Sequence, residues 1–79
     1  MQIRVQYFAL LRDQAGRRDE TIETMARNPA EIYAELKARH KFSLERDRLR
    51  VAVNTDFAEW TQTLNEGDTV VFIPPVAGG

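Results

Sequence analysis

The sequence contains no cysteine. That excludes disulfides, a thiolate zinc site and a nucleophilic sulfur, and it fits a cytoplasmic protein. No sign of charge dominates either: 11 basic and 12 acidic residues are mixed along 79 positions, for a net charge of −1. A nucleic-acid or membrane-surface role needs a patch of one sign, so neither partner is expected. The basic clusters, Arg17-Arg18 and Arg46/Arg48/Arg50, have acids beside them and read as solvated surface. No apolar run approaches the ~20 residues of a membrane span, and the N-terminus lacks the basic-then-apolar plan of a signal peptide. A chain this short buries only about 60–65% of its unfolded surface. Function is therefore expected on the surface or at the ends of one domain.

Glycine and proline are scarce, with four and three residues, yet two of each fall in the closing run Pro74-Pro75-Val76-Ala77-Gly78-Gly79. The prolines have fixed φ and no N–H to offer a sheet. They should end the last strand and hold the following residues off the body. Glycines without Cβ can enter a channel too narrow for other residues. Extended, Val76 to Gly79 reaches about 13 Å. The expectation is a domain over 1–75 and a flexible tail over 76–79 that delivers the Gly79 carboxylate into a partner's active site. A free carboxylate must be activated before it reacts, most simply as an acyl-adenylate made from ATP. The chain has no glycine-rich phosphate loop and a single histidine, so another enzyme must do this and no bound cofactor is expected.

Residues 2–8 alternate, with Ile3, Val5 and Tyr7 on one side of a strand. Residues 9–15 favour one or two helical turns ending at Gly16, and 18–25 a weak strand. Asn28-Pro29-Ala30-Glu31 is a helix start with cap, first-turn proline and a glutamate able to reach back. Ile32, Tyr33, Leu36 and Arg39/His40 follow the helical period. Residues 48–54 alternate again, with Leu49, Val51 and Val53 inward. Asn54-Thr55-Asp56 turns, Phe57 to Leu64 is irregular or a short edge strand, and Asn65-Glu66-Gly67-Asp68 is a tight turn. Residues 69–73 form the most apolar strand, which suggests burial on both faces. With one main helix on one face and the first and last strands paired at the centre, the order predicts an α+β fold, a β-grasp or ubiquitin-like roll.

Three stretches then resemble a known family: VQYFALLRDQAG (Val5–Gly16), VAVNTDF (Val51–Phe57) and LNEGDTVVFIPPVAGG (Leu64–Gly79). The last carries the specific signature, Leu-x-x-Gly-Asp followed by Pro-Pro-Val-x-Gly-Gly. End to end, the chain resembles the small subunits of molybdopterin synthase, sulfur carriers of the ubiquitin-like MoaD/ThiS superfamily. The resemblance implies that a ubiquitin-activating-type enzyme adenylates Gly79 and that a sulfur donor converts it to a thiocarboxylate. The carrier then inserts its tail into a large synthase subunit, in a heterotetramer of two small and two large chains. Sulfur passes to cyclic pyranopterin monophosphate, and the catalytic acids and bases belong to the partner. Carriers for thiamine thiazole or tRNA thiolation, a protein modifier joined through Gly79, and an inert binding module are the alternatives.

Phe8 breaks the first strand's alternation and falls on the face of Gln2, Arg4 and Gln6. It is either half-covered by the following helical turn or part of a docking patch, and the resemblance favours docking. Ile73 and Phe57 would join it near the tail root, with Pro74, Pro75, Val76, Ala77 and Gly78 entering the partner. Arg12 either reaches a partner's acidic group or is solvated. His40 suits a helix C-terminus, Trp60 a place over a sheet edge. Asp13, Asp19, Glu20 and Glu23 have no spacing for acid–base work or a metal.

Overall fold

A computed structural model describes residues 1–75; the expectations for Val76, Ala77, Gly78 and Gly79 lie outside the described residues. Strand β1 (Gln2–Tyr7) leads into helix α1 (Ala9–Ala15), strand β2 (Asp19–Glu23), helix α2 (Pro29–His40) and a 3₁₀ turn at Arg46–Arg48. Strands β3 (Arg50–Val53), β4 (Asp56–Phe57) and β5 (Thr69–Ile73) follow. They form one mixed sheet in the order β2-β1-β5-β3-β4. The first and last strands lie side by side at its centre, parallel, with Val5 opposite Val70 and Tyr7 opposite Phe72. The fold is the expected ubiquitin-like β-grasp.

Alternation decides which face is inward. Ile3, Val5 and Tyr7 from β1, Val70 and Phe72 from β5, and Val51 and Val53 from β3 all point to one side. There they meet Ile32, Tyr33 and Leu36 of α2 and Leu11 of α1. Each such side chain, lifted from water, contributes about 1.5–3 kcal/mol. The opposite face carries Gln6, Val71, Ala52 and Phe57 in one row across four strands. Val71 is buried as expected, but among the described residues no second layer covers it. Its shielding comes from Gln6 and Ala52 beside it in the register.

Local chemistry sets the helix ends. The Asn28 side chain accepts the Glu31 N–H at 2.9 Å, and Glu31 Oε1 reaches back to the Arg27 N–H at 2.8 Å. Gly16, at φ 73°, closes α1 with its N–H on the Arg12 carbonyl. Gly67, at φ 85°, supplies the left-handed turn before β5; both conformations are costly for a residue with Cβ.

Four boundaries differ from expectation. Strand β1 stops at Tyr7, because Phe8 is the N-cap of α1. Strand β2 is Asp19–Glu23 rather than 18–25: the Thr24 hydroxyl accepts the Ala26 N–H and turns the chain, leaving Met25 exposed. Strand β3 begins at Arg50 rather than 48, since Arg48 belongs to the 3₁₀ turn, although Leu49 is buried as foreseen. The edge strand is only Asp56–Phe57. Trp60 is not over an edge; it stacks on Phe72 of the central strand at 6.0 Å and meets Tyr33 edge-on.

Candidate functional site

Because β1 and β5 are parallel, their C-terminal ends emerge together. Tyr7 pairs with Phe72, so Phe8 follows alongside Ile73, on the face turned away from α2. Phe8 is 48% exposed and Leu10 42%. Ala9 between them holds a left-handed φ of 50° as the chain turns from β1 into α1, a conformation that costs an alanine about 1–2 kcal/mol. Phe8, Ala9, Leu10, Leu44, Ile73, Pro74 and Pro75 line a groove of about 600 Å³ whose surface is almost entirely apolar.

The structure thus brings Phe8, Ile73, Pro74 and Pro75 together at the point where the chain leaves the sheet. At 48% exposure the Phe8 ring is half-covered, and its open part lines the groove. Phe57 is 68% exposed but does not line this groove. It sits on edge strand β4, under the Arg50 guanidinium, which lies 5.7 Å from its ring centre. Arg50 in turn pairs with Ile73, so Phe57 belongs to the same face at one remove.

The residues that carried the resemblance elsewhere are structural. Asn54 accepts the Thr69 N–H at 3.1 Å through its side chain and donates to Asp68 at 3.2 Å. Asp68 also accepts the Asn65 N–H at 2.8 Å, and the Gly67 N–H bonds the Gln2 carbonyl at 2.8 Å. This clasp ties the β3–β4 turn to the start of β5, at the end of the sheet opposite the groove.

One cluster had no local signal. Glu20 and His40 are not scattered polar residues: His40 Nε2 lies 2.7 Å from Glu20 Oε2, and their side chains are 14% and 8% exposed. The Tyr7 hydroxyl also donates to Glu20, and Arg17 and Arg39 stand within 4.0 Å. Burial alone pushes the Glu20 carboxyl up, but the hydrogen bonds from Tyr7 and His40 and the charges of His40 and Arg17 outweigh it and hold it below its ordinary value. Burial, with the Glu20 bond, raises the Tyr7 phenol. The cluster joins β1, β2 and the end of α2 on the helix-covered side of the sheet, and its effect is to pin the helix. Asp13, Asp19 and Glu23 do not join it. Among the described residues, no group of acidic or histidine side chains could hold a metal ion. No helix among them is long and apolar enough to cross a membrane.

A five-stranded β-grasp sheet with its helices packed on one face, and an apolar groove where the last strand exits, is the architecture of a ubiquitin-like protein. Residues 5–79 match the ThiS family, and the chain belongs to it: a ubiquitin-like sulfur carrier of the ThiS/MoaD type. Among similar structures, a Pyrococcus furiosus protein assigned provisionally as molybdopterin converting factor subunit 1 is 32% identical. It has a TM-score of 0.80, over 96% of this chain and 99% of that one. SAMP1 of Haloferax volcanii superimposes at a TM-score of 0.83 with 22% identity, covering both chains fully at 100%. A complex of subunits 1 and 2 of the molybdopterin-converting factor of Helicobacter pylori contributes a match at TM-score 0.70 and 22% identity, also over 100% of both chains. The last two show the same fold.

Proposed function

We propose that the chain is the cytoplasmic, sulfur-carrying small subunit of a molybdopterin synthase. The observation that carries this reading is the apolar groove of Phe8, Leu10, Leu44, Ile73 and the diproline, placed at the root of the Val76-Ala77-Gly78-Gly79 segment. The 32% identity to a protein of that assignment supports it.

The chemistry belongs to the Gly79 carboxylate. Its oxygen attacks the α-phosphate of ATP on an adenylating enzyme, pyrophosphate leaves, and an acyl-adenylate forms. A sulfide equivalent then displaces AMP and leaves a thiocarboxylate. Docked on the large subunit through the groove, the carrier passes this sulfur to cyclic pyranopterin monophosphate, and water restores the carboxylate. Two deliveries complete one dithiolene, in line with a heterotetramer of two small and two large subunits. The carrier itself supplies a rigid body, a docking surface and a narrow end; proton transfer is left to the partner.

Intact mass tests the reading. Incubation with an adenylating enzyme, ATP and a sulfur source should exchange one oxygen for one sulfur, and the product should convert the pyranopterin in the presence of a large subunit. Loading without conversion would move the protein to another thiolation route. Conjugates on lysines of other proteins would make it a modifier, and no mass change would end the proposal.

A further inference from the structure

The exit of β5 is grooved on both sides, and the two sides differ. Across the Ile73-Pro74-Pro75 ridge from the apolar groove lies a second one, of about 440 Å³, lined by Asp47, Arg48, Leu49 and Arg50. Arg48 and Arg50 are exposed there, and neither forms an ion pair among the described residues. Arg50 is held in place by its pairing with Ile73 and by the Phe57 ring beneath its guanidinium. Arg46 rests over Trp60 nearby, so Asp47 is outnumbered on this strip. A guanidinium fixed by an aromatic ring loses little side-chain freedom when it binds a carboxylate bidentately.

We propose that this cationic flank binds an acidic segment of the enzyme that activates Gly79, while the apolar groove takes an apolar side chain of the same protein. The inference rests on the carrier reading and deepens it. A single apolar contact leaves a partner free to roll about the β5 axis. A charge contact on the other side of the ridge fixes that rotation, and with it the direction in which the chain enters the active site. The arginines were legible in the sequence only as solvated surface; what changes their reading is the register that sets Arg50 opposite Ile73.

The test measures carrier-dependent pyrophosphate release by the adenylating enzyme of the mass experiment, at low and high salt. The double variant Arg48→Glu/Arg50→Glu should raise KM for the carrier on the order of tenfold at low salt and flatten its salt dependence, leaving kcat unchanged. Arg48→Lys/Arg50→Lys should retain most of the salt dependence. Arg27→Glu, a charge reversal at the far end of the fold, should behave as the wild type. Thermal midpoints on the same samples separate lost docking from lost folding. A well-folded double glutamate variant with KM within about twofold of wild type at both salts would overturn the contact. Failure of the wild type itself to be activated would instead remove the carrier reading and the contact with it.

Discussion

The two ends of the central β1–β5 pair are built on opposite principles. At the end where both strands begin, a set of polar groups is answered from within the chain. The Gln2 N–H finds Glu66 at 2.9 Å, the Asn54 N–H finds the Thr69 carbonyl at 2.7 Å, and Asn54, Asn65 and Asp68 close on one another. At the end where both strands stop, Phe8, Leu10, Ile73 and two prolines leave an almost entirely apolar groove open. One end satisfies itself; the other leaves apolar surface uncovered among the described residues. A small domain that must be both stable and incomplete can divide those tasks along its length.

That division is open to attack from both sides. The largest effect should follow one extra residue after Gly79: sulfur loading, read by intact mass, should vanish while the thermal midpoint stays put. Next, Phe8→Asp should weaken binding to a large subunit by about 2 kcal/mol, roughly 30-fold in Kd by calorimetry. Its Tm should hold within a few degrees, because the ring is half exposed; a collapsed fold would show Phe8 to be core. The mirror experiment is Asn54→Ala. It removes two side-chain hydrogen bonds and leaves alanine at a φ of 60°. It should cost about 2 kcal/mol, roughly 10 °C in Tm, and spare docking. A variant that lost docking but kept its stability would merge the two ends.

The smallest effect concerns the Glu20 cluster, which lies on the helix-covered side of the sheet. The folded state holds this carboxyl below its ordinary value, so the unfolded chain takes up the proton first as pH falls. Stability from the contact is therefore intact at neutral pH and drains away below the ordinary value of 4.5. Glu20→Gln should flatten that acid limb in a series of melts. An unchanged slope would show that the cluster contributes nothing through charge.

What the sequence disclosed was mostly local. Ile3, Val5 and Tyr7 could be sorted by their period of two, and Asn28-Pro29-Ala30-Glu31 by capping chemistry, because each signal is complete within a few residues. Gly16 as a helix end and Gly67 within a tight turn were readable for the same reason. The site was half legible: the diproline and Phe8 stood out, but Leu44 reaches the groove from a loop with no pattern of its own. Glu20 was missed because its partners lie 13 and 20 residues away, across two strands and a helix. Trp60 was misplaced because its irregular segment gave no hint of Phe72 beneath it. Nor did alternating arginines in 46–50 say which would end beside the exit of β5.

The last strand is flanked on both sides by hydrogen-bonded neighbours, β1 along one edge and β3 along the other. A pull on β5 along its own axis would strain both ladders at once, in shear. Unzipping them one bond at a time needs a strand at the border of the sheet, which this one is not. Under the proposed function, a partner that draws the end in and lets it go should therefore lose its own grip before the small body unravels.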